Sequence, residues 1–162
     1  MRSTVVFHWS QVKVNARIVF DFDGVLIHSH LETLVTAYNT ACSGTAFELA
    51  DISDAFQENF ARNRSAVRNA GEMVTLAEWC IQQGEETSVQ LSREELLALF
   101  PEKTEVQQKA DAFFTKRSEF YAEHQEAWMR LNTPFQELWE ALKPFASKVL
   151  IVTHKNKEAV LN

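Results

Sequence analysis

Two short apolar runs lie far apart in this chain, and almost everything between them repeats at helical spacing. The first is Arg17-Ile18-Val19-Phe20-Asp21-Phe22-Asp23-Gly24, apolar until it reaches two carboxylates and a glycine. The second is Lys148-Val149-Leu150-Ile151-Val152-Thr153, apolar until a polar residue closes it. Unbroken runs of this kind that turn polar at their carboxyl ends predict buried parallel strands opening into a site.

Leu31, Leu34, Val35, Tyr38 and Ala41 recur in steps of three and four, which predicts an amphipathic helix ending near Gly44. Further helices are predicted over residues 47–60, 61–70, 73–83 and 92–99, with breaks at Gly71, Gly84 and Pro101. Val106, Ala110, Phe113, Arg117, Phe120, His124, Trp128 and Leu131 predict one long helix from Thr104, about 40 Å at ~1.5 Å per residue. Its aromatic stripe is expected to be core. Asn132-Thr133-Pro134 reads as a helix start with proline in the first turn, followed by a helix over 135–142 that Pro144 ends. Another helix is expected from His154 onward. The first sixteen residues, with Val5, Val6, Phe7 and Trp9, fit either a short strand or a loosely docked leader.

Two strands separated by about 125 residues of helix cannot form a simple alternating βαβ array. The economical architecture is a parallel sheet with a helical subdomain inserted after its first strand. Composition agrees: twelve Phe, four Trp and two Tyr against four Gly and three Pro describe a folded, mostly helical chain of 162 residues. A formal charge of -6 argues against a nucleic-acid scaffold, and the short cluster Arg62, Arg64 and Arg68 is too small to reverse that. Cys42 and Cys80 lack metal-ligand spacing and are expected to be reduced, buried thiols. No apolar run reaches the roughly 18 residues needed to span a bilayer, and the mixed N-terminus is unlike a signal peptide, so the expected location is the cytoplasm, away from membranes.

Asp21 and Asp23 stand two apart at a strand end, so continued strand geometry would point both carboxylates to one face. Gly24 then permits a sharp turn that aims backbone amides at an anion. A divalent cation beside such a pair offsets its repulsion and draws in a phosphate dianion, and a carboxylate can attack phosphorus to form an aspartyl phosphate. A plainer alternative is a strand-end turn whose aspartates only cap the following helix.

Val19-Phe20-Asp21-Phe22-Asp23-Gly24-Val25-Leu26 resembles the first motif of the haloacid-dehalogenase superfamily, a strand followed by D-x-D-G-V. Leu150-Ile151-Val152-Thr153-His154-Lys155 is similar to the family's second motif, and Pro134 to Lys143 resembles the helix before it in phosphoglycolate-phosphatase-like members. The resemblance implies an α/β fold, a partial Rossmann-like core with two parallel strands in this chain and a large inserted α-helical cap. It places the first core part at residues 1–30, the cap at 31–132 and the second, truncated core part at 133–162.

The resemblance also implies roles. Asp21 would be the nucleophile, Asp23 the general acid and base, and Thr153 a hydrogen-bond donor to the phosphoryl group. Mg2+ would be held by the Asp21 carboxylate and the Asp23 backbone carbonyl, with a further acidic ligand that the family supplies from a later strand. His28 departs from the acidic residue usual there, and His154 stands where many members carry asparagine, either contacting substrate or capping the last helix. The family's later lysine and acidic ligands have no counterpart, so a truncated representative with little or no activity is expected. Within the cap, Arg64 and Arg68, four apart on one expected helix face, are candidate contacts for an anionic substrate, with a solvated face as the alternative. The expected function is magnesium-dependent hydrolysis of a small phosphorylated metabolite, with a phosphosugar mutase of the β-phosphoglucomutase kind, or a non-catalytic interaction module, as rivals.

Overall fold

The computed structural model describes residues 17–100 and 103–153. The chain divides into two compact units, one from the residues up to Ile27 together with those from Pro134, the other from His28–Thr133. The expected elements at residues 1–16 and from His154 lie outside the described residues.

In the first unit, Ile18–Phe20 (β1) and Val149–Ile151 (β4) pair in parallel, with Ile18 opposite Val149, Val19 opposite Leu150 and Phe20 opposite Ile151. The predicted pairing of two distant apolar runs is therefore present, but the strands are not buried. Val19 is 59% exposed and Val152 63%, with Leu150 and Ile151 also open. Residue type set the strand, whereas burial needs a covering layer, and the small core consists of Phe22, Leu26 and Ile27 packed by Phe20, Leu138, Trp139 and Leu142. The last three come from Gln136–Leu142 (α7), after which Lys143–Lys148 form a 3-10 turn with Pro144 near its start. A second two-stranded sheet joins Ile27–His28 (β2) to Thr133–Pro134 (β3). Pro134 is thus a strand residue and not the first turn of a helix, consistent with its missing N–H being tolerable in a short edge strand.

The second unit is helical. Its elements are His30–Cys42 (α1), Asp54–Asn63 (α2), Ala70–Gln83 (α3), Arg93–Ala98 (α4), Lys103–Glu123 (α5) and Gln125–Arg130 (α6), with 3-10 turns at Leu49–Asp51 and Arg64–Ala66. Side-chain caps fix several starts: Ser53 accepts from the Phe56 amide, Asn69 from Glu72, and Ser92 shares a capping box with Glu95. The α1 helix ends on Ser43 in the left-handed region at φ 52°, one residue before the expected glycine. Both amide atoms of the buried Asn39 then grip Ala46, Oδ1 accepting from its N–H and Nδ2 donating to its carbonyl, each at 2.8 Å.

Four predicted helices are redrawn, and the one expected over 47–60 is α-helical only from Asp54, after the 3-10 turn at Leu49–Asp51. The expected helix over 61–70 does not form, because α2 stops at Asn63, whose buried side chain accepts from the Leu91 amide at 2.6 Å and donates to the Val89 carbonyl at 3.2 Å. Gly71 lies inside α3 and breaks nothing. A Cβ there would stand 2.0 Å from the Val106 carbonyl oxygen, so the glycine serves a close crossing of α3 and α5. The long helix from 104 to 131 is interrupted at His124, with φ -136° and ψ 46°. The spacing of the stripe is compatible with one continuous helix, but the chain breaks at His124, and Trp128 is buried beyond the break.

The aromatic stripe packs as expected at Phe113, Phe120 and Trp128, all buried, while Phe114 is exposed. Cys80 is buried and its thiol is pushed up to about 12 by desolvation. Cys42, expected to be buried, is exposed: it follows the last buried turn of α1, and its thiol donates to the Tyr38 carbonyl. No helix among the described residues is long and apolar enough to cross a membrane.

Candidate active site at the strand ends

The β1–β4 ladder continues one step past its last paired residues, since the Val152 amide donates to the Phe20 carbonyl at 2.9 Å. That bond brings the residues following the two strands, Asp21 on one side and Val152-Thr153 on the other, to the same edge of the sheet. Carboxyl ends of adjacent parallel strands are where open α/β sheets place their ligand sites.

Beyond Phe20 the backbone leaves strand geometry. Asp21 is exposed and its Oδ1 accepts from the Phe22 amide at 2.7 Å, which fixes one carboxylate oxygen close to the chain. The Phe22 carbonyl then collects the amides of Leu26 at 2.9 Å and Ile27 at 3.2 Å, and the Gly24 amide donates to the Ile27 carbonyl at 2.9 Å. This tight turn requires φ 73° at Gly24, a conformation that a side-chain-bearing residue adopts only at a cost. Asp23 sits within the turn, partly buried, and not on a continuing strand, so the two carboxylates owe their placement to the turn and not to strand alternation.

The turn is held from below. The Leu26 carbonyl accepts from both the Phe135 amide at 3.1 Å and the Trp139 indole N–H at 2.8 Å, and the buried Phe22 and Leu26 side chains anchor the loop in the small core. These positioning contacts are not visible in the sequence of the Pro134 to Lys143 segment. The relevant signal is an indole, which seeks an acceptor when partly buried.

The remaining candidates are distributed differently. Thr153 is partly buried just past β4, and His154 lies outside the described residues. Arg64 opens the 3-10 turn after α2 and Arg68 lies in the following loop, so they do not share a helix face as the spacing suggested. His28 ends β2, with its ring 5.9 Å from that of His30.

For a metal, the turn offers the hard oxygen donors that magnesium prefers, and this ion is commonly held by one or two carboxylates while keeping waters and taking phosphate oxygens. Among the described residues no group of three or more His, Cys, Asp or Glu side chains comes together to hold a metal ion. The turn thus carries two carboxylates, Asp21 and Asp23, with no third His, Cys, Asp or Glu side chain gathered beside them among the described residues. No family model, curated protein or solved structure matches the chain.

Proposed function

We propose that this chain carries the nucleophile loop of a magnesium-dependent phosphohydrolase of haloacid-dehalogenase type, acting on a small organic phosphate. The observation that carries the reading is the parallel register that brings Asp21 and Val152-Thr153 to one sheet edge, with the Gly24 turn directly after the first carboxylate.

In the proposed reaction the free oxygen of the Asp21 carboxylate attacks phosphorus, and the P–O bond to the leaving group breaks. The Asp23 carboxyl gives its proton to the departing oxygen. Asp23, now ionised, takes a proton from water as that water attacks the aspartyl phosphate, releasing inorganic phosphate and restoring Asp21. The Thr153 hydroxyl donates to the transferring group. Magnesium, when bound, supplies positive charge that lets a phosphate dianion approach two carboxylates. The helical unit is proposed as the cap that selects the substrate.

The test is thermal unfolding of the chain with magnesium and beryllofluoride, a mimic of the aspartyl phosphate. Stabilisation should require magnesium and disappear in Asp21→Asn. An equal response in wild type and Asp21→Asn, or none in a folded wild-type chain, overturns the assignment of Asp21.

A further inference from the structure

Among the described residues the histidines are His28, His30 and His124, and the first two meet. The ring centroids of His28 and His30 lie 5.9 Å apart, with their planes at 72°. His124 instead packs 4.2 Å from the Phe47 ring.

The backbone that carries the pair is held in place. His28 closes β2 and His30 opens α1, a helix of 13 residues, so one element ends and the next begins around a single residue, Ser29. Ser29 is buried, and its carbonyl accepts from the Thr33 amide at 3.1 Å and from the Thr33 hydroxyl at 3.0 Å. With the residue between them turned inward, His30 is exposed and His28 half-buried, both open to solvent.

Imidazole nitrogen is a preferred donor for borderline divalent ions such as zinc. With Zn–N bonds of about 2.0 to 2.1 Å, two rings that share one zinc ion have centroids about 5 to 6 Å apart. The observed separation lies in that span, so rotation of the side chains on a fixed backbone is enough to aim one nitrogen of each ring at a shared ion. The second nitrogen of each ring stays available for the hydrogen bond that orients a ligating histidine. One effect opposes binding: His30 stands at the positive end of α1, which weakens a cation there by about two- to fivefold. A second imidazole ligand outweighs that factor, since loss of even an outer-shell partner costs a metal site about tenfold or more.

We propose that His28 and His30 form a zinc-binding site on the helical unit, with two protein ligands and the remaining positions filled by water or by a donor atom of a bound molecule. The site lies within residues 28–133 and stands independently of the phosphohydrolase reading.

The experiment is calorimetric titration of the whole chain, free of any histidine tag, with ZnCl2 in excess MgCl2, which leaves the oxygen donors of the Asp21 turn to magnesium. Wild type should bind zinc, and the NMR signals of the His28 and His30 rings should shift together. His28→Gln and His30→Gln should each weaken binding by about tenfold or more. Asp21→Asn and His124→Gln should bind as wild type does. His30→Cys should retain zinc, because a thiolate is itself a zinc ligand and a histidine of purely structural value would not be replaced in this way. His30 is exposed, so the circular dichroism of its variants should match that of wild type. Absence of zinc binding by wild type, equal binding by wild type and His30→Gln, or loss of binding in Asp21→Asn overturns the proposal.

Discussion

In the helical unit the two buried carboxylates among the described residues each meet a guanidinium, Glu32 with Arg117 and Glu72 with Arg93, and buried amides such as Asn39 and Asn63 tie down the loops between helices. The strand unit has a core of a few side chains around Phe22 and Leu26, and its apolar strand residues Val19, Leu150 and Ile151 stay open. Yet it is the strand unit that carries Asp21, Asp23 and Thr153. Stability and candidate chemistry are therefore built into different parts of the chain, and damage to one should be readable separately from damage to the other.

The largest effect is expected where a buried charge would be stranded. Arg93→Met leaves Glu72 buried without its partner and should cost about 4 kcal/mol, in the range for breaking such pairs, measured by urea unfolding followed by far-UV circular dichroism. Burial alone would raise the Glu72 carboxyl, but hydrogen bonds from Arg93 and from the Arg68 amide, with the Arg93 charge, outweigh it and hold it below the ordinary value of 4.5. A depressed carboxyl stabilises the fold above its unfolded value and loses that contribution as pH falls through the folded one. Wild type should therefore lose stability as the solution is acidified below 4.5, and Arg93→Met should lose less over the same window. Hydrogen exchange resolved by peptide sharpens the comparison: protection should fall within 28–133 and persist in β1 and β4. Equal loss in both would show that the units unfold as one.

Much of this division was legible in the chain. Strands recognised as unbroken apolar runs need only local residue type, and Ile18–Phe20 and Val149–Ile151 fell inside the predicted segments. The helical content between them followed from three- and four-residue spacing. What failed depended on partners distant in sequence. The end of α2 is set by Asn63 bonding to Val89 and Leu91, the turn after Asp21 is held by Trp139, and Gly71 reads as a break unless Val106 is known to lie against it. The carboxylate pair itself was found at once, but its geometry was expected to follow strand alternation, and it follows the turn at Gly24.

Gly71→Ala tests the helical unit by crowding it. The added methyl would meet backbone oxygen at 2.0 Å, which no rotamer relieves, so α3 and α5 must separate. Overpacking of this kind should cost about 2 to 3 kcal/mol, seen as a lower urea midpoint, with protection lost along residues 70–83 and 103–123 and retained at the Phe22 amide. A neutral Gly71→Ala would mean that the crossing is looser than the contact implies and that the helical unit is not the tightly fitted part of the chain.

Gly24→Ala supplies the matching test in the strand unit, with a smaller effect of different origin. A Cβ at Gly24 meets nothing within 4 Å, so space is not the issue, but the residue sits at φ 73°. The expected cost is about 1 kcal/mol, purely conformational, because an L side chain disfavours that region. The same position filled with D-alanine by chemical ligation keeps the positive φ at ease and should restore stability, whereas no such rescue is expected at Gly71, where the obstacle is the Val106 carbonyl. If the L substitution also abolishes magnesium-dependent binding of beryllofluoride and the D residue returns it, the turn geometry, and not the mere presence of Asp21 and Asp23, is what the candidate site requires. Rescue of stability without rescue of binding would separate the turn from the chemistry.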